Sequence, residues 1–437
     1  MMPSELEDSR VIEAEFGVGD ETASAGVRAL HAVFYVFVLL IPVENVTLSG
    51  AQTGFTFSRL IGLILFGLAL INWRVCFRKL PAAFWMVAWY LAACTLSQLW
   101  IPSDLDARFL ETQATLIQML ALFLISANLF RDARFRTALL RFYSHWICLV
   151  AVGMLMGIIG ERFASLEGRN SVLGQDPNGA AGLFTLGAIC IAGDPRIFAA
   201  RRFIARFVAS LLAVAVLVMA IIQTGSRGGL IDFVSGIMGL AICGAKASRT
   251  RRLLIAGAVI GVLGVMIVRE FKQGTVASTR MTDSWEKGDT AGRTGIYDAA
   301  WSMFLAKPLV GYGGANNNFT LGERLNDTDT SGRIYYRDTH NLLLAVLTEG
   351  GLIGGLPFMA AIFYALWKAW HYGRRTDDAR PFALMVALIV INTSLTWDRQ
   401  KVFWIVFAAA VACGLEVDAA ENDVREPISA EQAAASA

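Results

Sequence analysis

The chain has 437 residues, of which 55% are hydrophobic and 17% charged, with a mean hydropathy of +0.53 and a formal net charge of +2. This composition is typical of a protein whose solvent is mostly lipid, and it excludes a water-soluble domain. Basic residues are scattered through short connections and form no basic face, so nothing favours a nucleic-acid partner.

The N-terminal segment 1–26 is acidic and lacks the basic start and cleavage site of a signal peptide, so it is predicted to be a disordered cytoplasmic tail. After it, apolar runs of bilayer length predict twelve transmembrane helices. The predicted spans are 29–44, 55–73, 81–100, 112–130, 138–160, 177–193, 204–224, 228–245, 253–269, 351–370, 381–395 and 402–417.

The predicted fold class is therefore an all-α polytopic membrane protein. Helices 1–9 lie within 27–270, a long polar loop occupies 271–340, helices 10–12 lie within 341–417, and a second tail occupies 418–437. Seventeen Lys and Arg residues fall in the connections 74–80, 131–136, 194–206, 246–252 and 371–380, whereas the short connections on the opposite face, 45–54, 101–111, 161–176, 225–227 and 396–401, hold six. The positive-inside rule then predicts both termini and the second tail in the cytoplasm and the long loop on the opposite face.

Cysteine and histidine usage argues against disulfides in the loop and against a metal centre. The six cysteines all fall in predicted spans or at their cytoplasmic edge, and the four histidines lie far apart in the sequence. No CxxC or HExxH motif occurs, so no metal ligands are predicted.

The first polar stretch facing the loop side is 168–178, before the sixth span. Pro177 suits the first turn of a helix and Asp176 its N-cap, so capping is one interpretation of Asp176 and Asn178, and support of a binding site is the other. Arg169 lies seven residues before the cap and is a candidate anion-binding residue.

A second stretch, 223–229, is a glycine-rich turn between spans seven and eight. Its glycines allow Arg227 and the backbone N–H groups to approach an anion closely. We predict that Arg227 binds the diphosphate of a lipid-linked substrate; an ordinary interfacial arginine is the competing interpretation.

The third stretch, 292–304, carries apolar residues at helical spacing after Arg293, which predicts an amphipathic surface helix with an arginine at its start. That arginine is either a substrate ligand or an incidental surface charge. The following turn-rich segment, 307–316, can shape a cleft.

The fourth stretch ends the loop at His340. Histidine is the side chain whose ordinary pKa suits proton transfer near neutral pH, although a lone interfacial histidine is often structural. Asp338, Asn341 or Glu349 can orient its ring, and Tyr336 can offer an aromatic platform to a sugar.

Taken in order, these motifs resemble the O-antigen ligase and polysaccharide polymerase family. The resemblance rests on the stretch at 168–178, on TGSRGG at 224–229, on GRTGIYDAAW and KPLVGYG within 292–313, and on DTHNLLLAVLTEGG at 338–351. His340 is followed by ten residues and Gly351, the spacing of the ligases. Their arginine-x3-leucine pattern is imperfect, because Leu230 follows Arg227 by three positions and Ile231 takes the fourth.

The resemblance implies a GT-C-like glycosyltransferase of the bacterial inner membrane that works at the periplasmic face without a metal or other cofactor. The implied donor is an undecaprenyl-diphosphate-linked oligosaccharide, and the implied acceptor is a glycan or a lipid A-core. Arg169, Arg227 and Arg293 would neutralise the departing diphosphate, and His340 would deprotonate the acceptor hydroxyl. Direct displacement predicts inversion at the anomeric carbon.

Several functions stay open at this point. Polymerisation of polysaccharide repeat units is favoured over ligation to a lipid A-core or protein because of the imperfect arginine-x3-leucine pattern. A transporter is disfavoured, because transporters place ionisable groups near the bilayer midplane and these candidates gather at one face. A structural subunit whose loop docks a partner is a further alternative, and a role for a chain-length regulator is undecided.

Overall fold

The structure is a computed structural model that describes residues 25–44, 46, 56–97, 106–163, 169–172, 174–198, 203–243, 246–273, 293–328, 332–376 and 378–417. Helices dominate these residues: α1 (Ala25–Leu39), α2 (Phe57–Ile71), α3 (Ala82–Ser97), α4 (Asp106–Leu129), α5 (Ala133–Leu155), α6 (Pro177–Ala192), α7 (Phe203–Gln223), α8 (Arg227–Ile242), α9 (Lys246–Gln273), α10 (Arg293–Ala306), α11 (Gly314–Arg324), α12 (Leu342–Arg375), α13 (Arg380–Ile391) and α14 (401–417).

The predicted helical membrane class is confirmed in its main feature. Each of the twelve predicted spans overlaps a helix. Among the described residues, four helices are long and apolar enough to cross a bilayer (within α4, α5, α7 and α12), and six shorter apolar helices accompany them. The chain is thus a multi-pass membrane protein, whereas the count of twelve spans stays a prediction. The predicted tails and the loop segment 274–292 lie outside the described residues, apart from the two residues that begin α1.

A short antiparallel hairpin departs from the all-α prediction. Strands β1 (Gly160–Phe163) and β2 (Arg169–Val172) pair with Phe163 opposite Arg169. The hairpin leads into α6, whose first residue is Pro177 and whose N-cap is Asp176. The Asp176 carboxylate accepts hydrogen bonds from the N–H groups of Asn178 and Gly179 at 2.9 and 3.2 Å, which confirms the predicted capping.

The bundle is built around α6, which is buried on nearly all of its faces and packs against α5, α7 and α8. Helix α3 packs along α12, and α8 packs along α13. The predicted amphipathic helix is confirmed as α10, because Ala300, Met303 and Phe304 are buried while its outer side is exposed.

Helix α12 is interrupted at Gly351, whose φ of 58° and ψ of −159° are not helical. Residues 307–313, which we call the strap, lie against this break. Four backbone hydrogen bonds of 2.8–3.1 Å join the strap to both sides of the break: Tyr312 N to Thr348 O, Gly313 N to Glu349 O, Leu352 N to Pro308 O, and Ile353 N to Leu309 O. The strap thus satisfies backbone groups that the interruption frees, as irregular backbone within a membrane requires.

Replacing Gly351 by alanine is expected to destabilise the protein strongly. The residue has a positive φ, and an added Cβ would lie 2.2 Å from the carbonyl oxygen of Leu309. Backbone strain of this kind costs about 1–3 kcal/mol before the collision is counted. Thermal unfolding in detergent measures the effect.

The matched control is Gly67→Ala in α2, where an added Cβ meets nothing within 4 Å. Its unfolding temperature should equal or exceed that of the wild type, because alanine favours helix. A Gly351→Ala protein as stable as this control would contradict the interrupted helix.

Candidate functional site

The connection 392–400 between α13 and α14, which we call the hub loop, is the meeting point of several distant segments. The carbonyl of Thr393 accepts hydrogen bonds from the Tyr297 hydroxyl at 3.2 Å and from the Asn341 amide at 3.3 Å. The carbonyl of Asn392 accepts from the N–H of Leu342 at 2.9 Å. The hub loop therefore joins α10 to the start of α12.

His340 lies immediately before α12 and beside the hub loop. Its φ of 50° is uncommon for a residue other than glycine, a form of backbone strain that concentrates at functional sites. Its Nδ1 lies 3.5 Å from the Asp338 carboxylate, and its carbonyl accepts a hydrogen bond from Tyr297 at 3.2 Å. The His340 side chain is 37% exposed, so the ring is reachable from the surrounding solvent.

Arg293 lies near Tyr297, which contacts His340. Its positive charge acts on the Tyr297 hydroxyl, the group that donates to the backbone carbonyl of His340. Burial raises the pKa of Tyr297, and the nearby Arg293 opposes that shift. Arg293 is the first residue of α10, as the sequence predicted.

Arg169 is buried and holds the turn between α7 and α8 in place. Its Nε donates to the carbonyl of Thr224 at 2.7 Å, and one Nη donates to the side-chain oxygen of Asn178 at 2.8 Å. Only 5% of Arg169 is exposed, so most of its guanidinium serves contacts within the protein. Asn178 thus orients Arg169, and Asp176 caps the helix that carries Asn178.

Arg227 begins α8, directly after this turn. Ser226 caps the helix by accepting from the N–H of Gly229 at 3.1 Å. Gly228 approaches the hub loop so closely that an added Cβ would lie 3.2 Å from the hydroxyl oxygen of Ser394. The turn that carries Arg227 therefore packs beside Ser394 of the hub loop. Ser394 directly follows Thr393, whose carbonyl accepts the hydrogen bonds from Tyr297 and Asn341.

Glu349 is almost fully buried, and its partners are not those proposed from the sequence. Tyr90 donates to one carboxylate oxygen at 2.5 Å and Arg399 donates to the other at 3.3 Å. Glu349 follows His340 by nine positions, which corresponds to a rise of roughly 13 Å along a helix at 1.5 Å per residue. Its carboxylate is bound to Tyr90 of α3 and to Arg399 of the hub loop.

The two remaining supporting residues have local contacts. The Asn341 side chain caps α12 by accepting from the N–H of Leu344 at 3.1 Å. The ring of Tyr336 packs against Phe319 of α11 with centroids 5.6 Å apart. Tyr336 is half-buried, so it offers only part of its surface to a sugar.

Sequence reasoning missed Arg399, which it counted only among the charges of the connection 396–401. Burial alone lowers the pKa of Arg399, but Asp398, Glu349, Tyr90 and Asp338 together raise it above its ordinary value. Asp398 is itself buried, with a carboxylate oxygen 3.7 Å from the Arg399 Nε. The WDRQK sequence at 397–401 is the signal that could have indicated this cluster.

No three His, Cys, Asp or Glu side chains come together as metal ligands in the part of the chain that the structure describes. All six cysteines are free thiols.

Two features indicate the class of this protein. It is a helical protein that crosses the membrane several times, and a histidine and several arginines lie toward one end of its bundle. Residues 211–359 match the family model described as O-Antigen ligase, Wzy_C. The resemblance to the O-antigen ligase and Wzy-like family is thereby confirmed over that segment. No curated protein matches the chain.

This match covers less than half of the chain and supports a membrane enzyme of the O-antigen ligase and polymerase type. The matched family implies a lipid-linked glycan as substrate. The matched segment contains Arg227, Arg293 and His340, whereas Arg169 and Arg399 lie outside it.

Proposed function

We propose that the protein is an inner-membrane glycosyltransferase that transfers a polyprenyl-diphosphate-linked oligosaccharide at the periplasmic face, polymerising repeat units of a surface polysaccharide. One observation carries the proposal. A series of contacts runs from Arg169 through the turn at Arg227 and the hub loop to Tyr297 and His340, and the charge of Arg293 acts on the Tyr297 hydroxyl. Residues more than a hundred positions apart in sequence thus share one end of the bundle.

Arg227 and Arg293 are assigned to the departing diphosphate. Cleavage of the sugar–phosphate bond builds negative charge on the leaving oxygen, and guanidinium groups neutralise it through charge-assisted, often bidentate hydrogen bonds. Arg169 already donates to Thr224 and Asn178, so its proposed role is to position the turn that carries Arg227.

His340 is assigned as the general base. The acceptor hydroxyl loses its proton to the imidazole as its oxygen attacks the anomeric carbon, and the diphosphate departs with the bonding electron pair. Asp338 lies on the Nδ1 side of the ring at 3.5 Å, so it can hold a proton on Nδ1 and leave Nε2 as the basic nitrogen. A single displacement inverts the anomeric configuration.

The part of the donor's polyprenyl chain nearest the diphosphate is placed in an apolar groove between α12 and α13, and the rest of the chain lies in the bilayer. This groove, which we call the α12–α13 groove, has a volume of about 200 Å³. Its polar end is formed by Asn341, Asn392 and Thr393, next to His340. Its apolar wall includes Leu343 and Phe363, whose side chains are exposed to the surroundings of the bundle. A lipid can therefore enter sideways while its diphosphate stays near the arginines.

Ligation is the second candidate, and the description of the matching family model favours it. Donor and catalytic residues would be the same, but the acceptor would be a lipid A-core or a protein. A deletion strain separates the two functions. Single-repeat glycans indicate that a polymerase was lost, whereas unattached full-length glycans indicate that a ligase was lost.

Transport is less well supported by the arrangement of charges. At the bundle end opposite the hub loop, buried Arg136 pairs with Glu416 at 2.9 Å and buried Arg380 pairs with Asp378 at 2.7 Å. Each of these charges has a fixed partner near a helix end, rather than facing a path across the bilayer midplane.

Transfer by the purified protein in nanodiscs tests the proposed function. With an undecaprenyl-diphosphate oligosaccharide and excess chelator, we expect chain extension at an undiminished rate and, by NMR of the new linkage, inverted anomeric configuration. Retained configuration would contradict single displacement. Loss of transfer in chelator that added Mg²⁺ restores would contradict a metal-independent reaction.

A further inference from the structure

A second cavity lies on the other side of the hub loop. It has a volume of about 680 Å³ and is enclosed by the end of α1, the first half of α2, the first part of α4 and residues 399–401. Leu63 of α2 and Ile117 of α4 line it and are 58% and 56% exposed, so the cavity opens sideways between these two helices. We call it the α2–α4 cavity.

The α2–α4 cavity has an apolar body suited to a hydrocarbon chain. Its apolar lining is formed by side chains of α1, α2 and α4: Phe37, Leu65, Phe66, Met119, Leu122 and Ile125. An opening toward the membrane and an apolar wall together favour a lipid over a water-soluble sugar.

The same cavity also carries groups that recognise phosphate and sugar hydroxyls. Arg59, Arg399 and Lys401 are its cations. Lys401 is paired with Glu44 at 2.5 Å. Arg59 and Glu111 both line the cavity and are both exposed.

This mixture of charges suits one kind of headgroup. Cations bind phosphate oxygens, while carboxylates and amides such as those of Glu111, Gln118 and Gln400 accept and donate hydrogen bonds to hydroxyls. A lipid that carries both a phosphate and a sugar can bind the cations through its phosphate and the carboxylate and amide groups through its sugar hydroxyls.

The hub loop contributes residues to both the α2–α4 cavity and the α12–α13 groove. The hub loop supplies Asn392 and Thr393 to that groove and Arg399 to the α2–α4 cavity. The negative charge of Asp338, whose carboxylate lies beside His340, helps to raise the pKa of Arg399. Two amphiphiles can therefore bring their headgroups to one site from two sides of the loop.

We propose that the α2–α4 cavity binds the acceptor, and that this acceptor is a phosphate-bearing glycolipid anchored in the membrane. The proposal rests on the proposed transferase function and assigns its second substrate. The donor then occupies the α12–α13 groove, and Arg59 and Lys401 hold the acceptor phosphate.

Native mass spectrometry of the full chain with undecaprenyl phosphate tests the assignment. The wild type is expected to bind two lipid molecules, one in each apolar site, and Leu63→Trp is expected to bind one because the indole fills the opening between α2 and α4. Ile64→Trp is the matched control. Ile64 is 43% exposed on the same helix but does not line the cavity, so this variant should still bind two.

A competition arm distinguishes a substrate site from a general anionic-lipid site. Excess phosphatidylglycerol should leave the second undecaprenyl phosphate bound, and Arg59→Gln should weaken that second binding event. Any one of three results would overturn the assignment. These are displacement of the second undecaprenyl phosphate by phosphatidylglycerol at equal concentration, a single bound lipid in the wild type, and two bound lipids in Leu63→Trp.

Kinetics separate failure of this assignment from failure of the proposed function. Leu63→Trp is expected to raise KM for the lipid acceptor about tenfold, because several buried methylene groups are lost, while KM for the donor stays unchanged. Absence of transfer by the wild type would refute the proposed function and leave the binding stoichiometry as an independent result. Normal transfer with an unchanged acceptor KM in Leu63→Trp would refute only the cavity assignment.

Discussion

His340→Ala is expected to lower the rate of glycan transfer by about 10²–10⁴-fold, the contribution of a general base. The variant should still be inserted and folded, because the histidine side chain is 37% exposed. Single-turnover transfer with purified protein in nanodiscs measures the rate. The binding of undecaprenyl phosphate should stay unchanged.

Two further variants make the result interpretable. His340→Asn keeps a residue that tolerates the positive φ of 50° but removes the basic nitrogen, so it should be as inactive as the alanine variant. His371→Ala changes an exposed histidine near the far end of α12 and should retain full activity. An active His340→Asn protein would show that the residue has a structural role, and His340 would no longer be the base.

Arg227→Ala is expected to reduce kcat for transfer by roughly 10–100-fold, because hydrogen bonds to charged groups contribute about 1.5–3 kcal/mol each. The loss should appear mainly in kcat, since charge on the leaving diphosphate grows as the bond breaks. Arg227→Lys should recover part of the activity, because lysine keeps the charge but not the bidentate geometry.

Arg134→Ala is the matched control for Arg227. Arg134 is exposed in the first turn of α5, close to Arg136 at the opposite end of the bundle. Its replacement should leave transfer unchanged. If Arg227→Ala raised only KM for the donor, the arginine would contribute equally to ground-state binding and to the transition state, and its assignment to the leaving group would be wrong.

The features that the sequence predicted depend on residues close together in the chain. Each of the twelve predicted apolar runs overlaps a helix, because a run within the membrane must satisfy its own backbone polar groups within one segment. The cap at Asp176 and the amphipathic helix beginning at Arg293 follow from spacings of three or four residues. The order of the motifs around Arg227 and His340 was sufficient to indicate the family.

Some features became visible only in the structure. Glu349 was one of three residues expected to orient the His340 ring. In the structure its carboxylate binds Tyr90, 259 positions away, and Arg399, 50 positions away. The strap that pairs with the break at Gly351 is likewise separated from α12 by an intervening helix and loop.

By itself, the sequence determined that this chain is a helical membrane protein with polar, arginine-containing motifs and one histidine at the end of a long loop. Only the tertiary structure decided that the hub loop joins Tyr297 to Asn341, that Arg169 braces the turn before Arg227, and that a second cavity opens beside Arg399. The physical reason is the range of the interactions. Hydropathy and capping are fixed within a few residues, whereas these contacts depend on how every helix of the bundle packs against the others.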